Sequence, residues 1–328
     1  MRIRRFPIPL TALCAVAVLA GCAAAPTPST TTVATPTAYA QVSMANCGVD
    51  VTFTAPPKAA VTLNQGATEV MLALGLESSM VGTAYLDDKV PARWADAYAK
   101  IKVLAEKYPS KESFLAAGPD FAYASYASAF TEKNIGTREE LKTELVSTYL
   151  SPFGCPKGVT QAPGTLDAAW SEVTDVAKIF GVPERAATLV DAQKASFAKL
   201  KEQAAGKGKS VLWYDSGDKE LFAGAGKGGP QIVLDTIGAT NIFSGEDGGW
   251  ATVSWEKVVA ADPDVIVLAD ASWSTAASKI AYLEADPVLS KLKAVKAKAF
   301  VTVPFSESTP GIRLVDGATT VADQIAKH

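Results

Sequence analysis

Histidine is almost missing from this sequence. The one copy, His328, closes the chain. That excludes a Ser–His–Asp triad, a Cys–His pair, an HExxH zinc site and any histidine-rich metal centre. Cysteine is scarce as well: the four copies form no Cys-x-x-Cys pair, which argues against a cysteine-held zinc. Arginine is thin: beyond the N-terminus only Arg93, Arg138, Arg185 and Arg313 occur. There is no strong positive balance. The net charge is −3 with a pI near 5.4, which argues against a nucleic-acid partner. After the N-terminal stretch no segment reaches 18 uninterrupted apolar residues, so no later membrane span is predicted. An identifiable nucleophile–base pair is also lacking. The adjacent Asp87 and Asp88 would point to opposite sides of an extended chain. No enzyme is predicted, although a secreted enzyme is the competing class.

What is present is a chain of 328 residues with 48% hydrophobic and 20% charged residues, enough for a sizeable core. Arg2, Arg4 and Arg5 precede an apolar run from Ile8 to Ala20. At about thirteen residues the run is short for a span and suits a signal peptide. It ends in Leu19-Ala20-Gly21-Cys22, which resembles the bacterial lipobox, with cleavage after Gly21 and lipidation of Cys22. Removing residues 1–21 takes three arginines and no acid, leaving 28 basic against 34 acidic residues, net −6. Residues 22–43 are rich in Thr, Pro and Ala and read as a flexible tether. Within it, Ala23–Ala40 has a root-mean-square reach of about 23 Å. The protein is therefore expected outside the cytoplasm, held at the cell membrane only through its lipid anchor. Cys14 leaves with the signal. Cys47 and Cys155 remain in an oxidising compartment and are expected to pair; the alternative is two free, buried thiols.

The body contains a repeated unit. Ser110-Lys-Glu112-Ser-Phe-Leu-Ala-Ala-Gly-Pro119-Asp120 matches Ser254-Trp-Glu256-Lys-Val-Val-Ala-Ala-Asp-Pro263-Asp264 at Ser, Glu, both alanines, Pro and Asp. Each copy predicts a serine N-cap, an acid facing the positive helix end, a proline stop, and then an apolar strand. Those strands are Phe121–Ser125 and Val265–Leu268. Further apolar strands are predicted at Ala60–Leu63, Val81–Ala84, Val146–Tyr149, Ser210–Tyr214 and Ala299–Val303. Helices are predicted between them, two of which close at Gly75 and Gly238. Alternation of this kind predicts an α/β fold with parallel sheets in two Rossmann-like lobes. Pro183 opens a long helical pattern that runs to Gly206. One rigid helix would join the lobes. The resulting boundaries are residues 44–165 for the N-terminal lobe, 166–207 for the helical connector and 208–328 for the C-terminal lobe.

Together the lipobox, the tether, the two βα lobes, the connecting helix and the paired Glu-x6-Pro-Asp units resemble the iron-siderophore and cobalamin group of ABC-importer substrate-binding proteins, the class III periplasmic binding proteins. The resemblance covers about residues 44–325. It implies a monomeric receptor, with Glu112 and Glu256 on the lobe tips docking onto arginines of a permease that is driven by an ATPase. It also implies a ligand cleft between the lobes, at the carboxyl ends of the strands. Candidates just after strands are Gln65, Tyr85, Asp87 and Tyr126 in the first lobe. In the second they are Tyr214, Ser216, Trp250, Trp273, Phe305 and Arg313. Their aromatic faces suit a large, flat or macrocyclic ligand. Gly224-Ala-Gly-Lys227-Gly-Gly229 lacks the Gly-Lys-Ser/Thr ending of a P-loop and reads as a flexible cleft loop, from which Lys227 could meet an anion. No cofactor or resident metal is expected. The ligand itself can carry Fe(III) or a corrinoid, or can be another coenzyme.

Overall fold

The computed structural model describes residues Tyr39–His328; residues 1–38, with the predicted signal peptide, Cys22 and most of the tether, lie outside the described residues. The chain opens with an antiparallel hairpin of β1 (Val42–Asn46) and β2 (Val49–Phe53). Its two-residue turn holds Cys47 at φ 50° and Gly48 at φ 80°, the positive dihedrals that tight hairpins require. The folded body thus begins before the predicted boundary at residue 44. Tyr39, three residues before β1, donates from its hydroxyl to the Ile179 carbonyl at 3.0 Å. The tether was read too long because Val42 and Met44 alternate with small polar residues, a weak strand signal at the edge of a Thr/Pro-rich run.

The first lobe follows as β3 (Ala60–Leu63), α1 (Gln65–Ala73), β4 (Met80–Ala84), α2 (Ala92–Tyr98), β5 (Val103–Ala105), α3 (Lys111–Leu115), β6 (Phe121–Ala124), α4 (Arg138–Thr143) and β7 (Ser147–Leu150). The strands form one parallel sheet in the order β5-β4-β3-β6-β7. Every residue of β3 and β6 is buried, as an apolar run flanked by helices on both faces requires. The chain winds outward from β3 to β5, then returns to the other side of β3 for β6. The β3/β6 junction is therefore the topological switch point, where a crevice opens at the strand ends.

Two helices then span both lobes, α5 (Leu166–Ile179) and α6 (Pro183–Gln203). At 1.5 Å per residue α6 is about 32 Å long, and it is the connecting helix that the apolar spacing predicted. It runs against α5, and the indole of Trp170 donates to Gln193 at 2.9 Å across the pair. Val173, Val176 and Ile179 at one end of α5 enter the first lobe's core, while Ala169 at the other end enters the second's. On α6, Ala186 packs in the first core and Phe197 and Leu200 in the second.

The second lobe comprises β8 (Ser210–Ser216), β9 (Leu221–Gly224), α7 (Gly229–Ile237), β10 (Thr240–Asn241), β11 (Trp250–Val253), α8 (Trp255–Ala261), β12 (Val265–Asp270), α9 (Ala276–Ala285), α10 (Lys293–Lys296), β13 (Phe300–Pro304) and α11 (Leu314–Ile325). Its sheet has the path β11-β9-β8-β12-β13, with β10 beside β8. The β8, β10, β12 and β13 pairings are parallel; β9 and β11 are antiparallel additions.

The paired aspartates of the repeat have a common structural task. Asp120 accepts the amides of Lys58 and Ala59 at 2.8 and 2.9 Å, just ahead of β3. Asp264 accepts both the amide and the hydroxyl of Ser210 at 2.8 Å, at the start of β8. Each acid thus pins the entry to the strand on which its sheet is built. Those hydrogen bonds, together with Lys293 at 2.9 Å, hold the Asp264 carboxyl down at about 2. Cys47 and Cys155 are bonded, which ties the β1–β2 turn to the loop after β7. Among the described residues no helix is long and apolar enough to cross a membrane.

Candidate functional site

A cavity of about 210 Å³ lies between the lobes. It is smaller than the roughly 300–1,000 Å³ typical of small-molecule sites. The first lobe supplies its polar wall from the switch point. Asn64, Gln65 and Gly66 follow β3, and Ser125 and Tyr126 follow β6. The backbone is forced here: Asn64 sits at φ 76°, ψ 159°, a region normally left to glycine. Its side-chain oxygen accepts from the Tyr108 hydroxyl at 3.0 Å. The Gln65 carbonyl accepts the amides of Asp87 and Asp88 at 3.1 and 3.3 Å, and its amide nitrogen donates to Glu69 at 2.8 Å. Gln65 thus orders the loop after β4 as well as lining the cavity. Asp87 also lines it; burial, reinforced by Asp88 and opposed by Lys107, lifts its carboxyl to about 6.

The second lobe supplies an aromatic wall. Phe222, Trp250 and Phe305 form a stacked rank, with ring centres 6.0 and 6.4 Å apart and planes within 19° and 23°. Trp250 and Phe305 line the cavity, and Trp273 meets Phe305 edge-on at 5.3 Å. The flanking members Phe222 and Trp273 are 38% and 49% exposed, so the rank continues beyond the cavity to solvent.

The loop after β7 and α5 close the far side with Ser151, Phe153, Gln161, Gly164 and Glu172. Glu172 is 4% exposed and accepts from the Tyr123 hydroxyl at 2.6 Å. Burial raises its carboxyl to about 7, against hydrogen bonds from Tyr123 and Ser151. Gly164 lets the lobes touch here: a Cβ would lie 1.7 Å from the Lys227 carbonyl. The glycine-rich segment around Lys227 is not slack. The amides of Ala225 and Lys227 donate to Gly249 and Gly248 at 3.0 and 2.9 Å. Lys227 lines the cavity, but its ammonium is held by Asp247.

Of the ten cleft residues read from the sequence, Gln65, Asp87, Tyr126, Trp250 and Phe305 line this cavity. Trp273 joins its aromatic rank. Tyr85 stands apart at φ 61°, its ring against Tyr108 at 4.7 Å and under the Lys107 ammonium at 4.4 Å. Ser216 caps the end of β8 and donates to Asp215.

Two further residues do not line the cavity. Tyr214 is fully buried, its hydroxyl donating to the Gly217 carbonyl and its ring against Trp255; β8 is a central strand covered on both faces, so Trp213 and Tyr214 are both in the core. Arg313 is 5% exposed and lies off the cavity lining. It bonds Glu69 of the first lobe at 3.0 Å, and Glu307 and Asp316 of the second. Burial opposes its charge, yet the three acids together push its pKa further up. Glu69 is lifted to about 7 by burial despite Arg313. Beside this cluster Asp88 accepts the amide and hydroxyl of Ser306, both at 2.9 Å. These contacts clasp the lobes together.

Glu172 carried a legible signal that was passed over. It is an acid within the apolar stripe Ala169, Val173, Val176 of a helix. Gln161 and the Thr309–Gly311 turn carried none, since both sit in irregular loops. Among the described residues no cluster of three or more His, Cys, Asp or Glu could hold a metal ion.

Two βα lobes bridged by helices that both cores share, with a cavity at the strand ends, define a two-lobed solute receptor. Residues 61–307 match the model of the periplasmic binding proteins, and the chain belongs to that family. A periplasmic binding protein from Veillonella parvula is 31% identical, with a TM-score of 0.76 over 88% of this chain and 98% of that one. An ABC transporter substrate-binding lipoprotein of Bacillus subtilis, YvrC, itself uncharacterized, is 23% identical over 84% of this chain and 82% of its own. The vitamin B12-binding protein of Salmonella paratyphi A is 38% identical over 88 residues, which is 26% of this chain but only 33% of that protein.

Proposed function

We propose that this protein is a lipid-anchored, extracytoplasmic receptor that captures an iron-siderophore or cobalamin-like ligand and delivers it to the permease of an ABC importer. The observation that carries this reading is the cavity itself. A polar wall at the switch point faces a stacked aromatic rank that continues to solvent. Such a surface suits a ligand with one polar pole and a broad flat flank. Only part of a macrocycle fits the enclosed volume, so the remainder would rest on Trp273 and Phe222. The vitamin B12-binding and lipoprotein relatives support the same class.

Glu112 and Glu256 are exposed in the first turns of α3 and α8, after serines at equivalent places in the two lobes. Exposed acids of this kind register a partner more than they add affinity. They are the docking points in this reading. The test pairs two measurements. Tryptophan fluorescence should change on titration with a ferric trihydroxamate or cyanocobalamin. Glu112→Ala with Glu256→Ala should leave that titration unchanged while uptake in cells falls to background. Normal uptake by the double variant refutes the docking role, and no response to either ligand refutes the ligand class.

A further inference from the structure

The charges around the cavity are unevenly satisfied. Among the described residues, the cations near the cavity each have a partner, although Lys227 and its partner Asp247 are both exposed. Lys227 is held by Asp247, Arg313 by three carboxylates, and Lys107 lies over the Tyr85 ring. The acids are less well neutralised. Glu172 opens onto the cavity from a buried position with hydroxyls as its partners, Tyr123 and Ser151, and no cation. Asp87 lines the same space. The amides and hydroxyls around them can donate or accept. An anion entering here would meet two lining carboxyls against one lining cation, Lys227, which already shares its charge with Asp247; a donor would meet acceptors in a low-dielectric setting where each bond is strengthened.

Resting on the receptor reading above, we infer that the cleft selects its ligand by charge: it takes a neutral or cationic chelate or corrinoid, one hydrogen-bond-donating pole of which enters the cavity and donates to the Glu172 carboxyl beside Ser151, and it rejects anionic ones. The flat flank of the same ligand lies on Trp250 and Phe305. The groups that face Glu172 are Tyr123 on β6, Ser151 after β7, and Asp175 on its own helix; Tyr149 on β7 lies against Tyr123. None of these is a cation that could reverse the sign of the site.

The experiment compares ligands that differ only in charge. One series is a linear ferric trihydroxamate with a free terminal amine, the same chelate acetylated, and the same chelate succinylated. The other is cyanocobalamin with an amine, no addition, or a hemisuccinate on its ribose. Each is titrated by tryptophan fluorescence into the mature lipid-free chain at pH 8, where Glu172 is largely ionised. Within whichever series binds, the anionic member should bind at least about tenfold more weakly than the cationic one. Glu172→Gln should compress that spread to within about threefold, weakening the cationic member most. Equal or tighter binding of the anionic member by the wild-type protein overturns the inference, with no variant needed. An undiminished spread in a folded Glu172→Gln protein overturns the role of Glu172. Silence from all six probes overturns the receptor reading itself and the charge assignment with it, whereas binding without charge dependence overturns the charge assignment alone.

Discussion

The two lobes repeat one βα unit yet use it differently at the cleft. In the first lobe the cavity sits where topology places it, on the residues that follow β3 and β6. In the second, the equivalent strand ends of β8 and β12 are closed off. Tyr214 is in the core, and the Lys279 ammonium bonds the Ala269 and Ser274 carbonyls. The cavity instead takes the loop after β9, the start of β11 and the turn after β13. The antiparallel pair β9 and β11 has no counterpart in the first lobe, and it brings Phe222 and Trp250 to the site. A shared scaffold therefore fixes where a ligand can sit, while the element that breaks the repeat decides what kind of surface it meets.

The comparison is most exposed at the clasp. Replacing Arg313 by Met leaves Glu69 and Glu307 buried without their cation. Breaking a buried pair in this way costs about 3–5 kcal/mol. Urea unfolding should show a loss of that size and a split into two transitions, one per lobe. A single transition with unchanged midpoint would mean that α5 and α6 alone couple the lobes.

The acids of the two regions should next give opposite pH limbs. Glu69 and Glu172 are raised to about 7 from an ordinary value near 4.5. Between those values the folded protein holds protons that the unfolded chain has lost, so stability falls as pH rises. The loss is roughly 3 kcal/mol for each fully buried carboxyl. Asp264 is depressed to about 2 from near 3.8. Its contribution is present above the ordinary value and disappears as pH falls toward 2. Glu172→Gln should roughly halve the neutral limb, the Glu69 part remaining, and leave the acid limb alone; melting temperature against pH reads both, and a neutral limb that persists unchanged contradicts the assignment.

The smallest effect tests the repeat itself. Asp120→Ala and Asp264→Ala each remove the acceptor of two donors at a sheet entry, at a cost of about 2 kcal/mol. Asp264 should cost slightly more because Lys293 also bonds it. Equal unfolding midpoints for wild type and either variant would show that the motif's aspartate no longer serves that lobe.

Much of this was legible in the residues. Runs such as Val265–Leu268 are short, wholly apolar and bounded by Pro and Asp, and buried parallel strands need nothing more. The strands at Leu221–Gly224 and Trp250–Val253 were not legible, because each is four residues long and glycines flank or end them. At the site, the rule that binding residues follow strands found Gln65 and Tyr126. It failed at Tyr214 and Arg313, because it carries no information on which side of a strand end is already filled. An arginine near a cleft and an arginine within a buried ion cluster look alike until the acids that surround it, Glu69 across 244 residues, are brought together.

The two bridging helices and the clasp have a kinetic consequence. Lobes fixed by α5, α6 and a buried ion cluster leave a cleft whose walls exist before any ligand arrives. Capture then requires little ordering of the receptor, so less of the interaction free energy is lost to rigidification. On the receptor reading, encounter with such a preformed cleft would be limited by diffusion and orientation. Residence time becomes the variable that evolution can tune, one cavity side chain at a time.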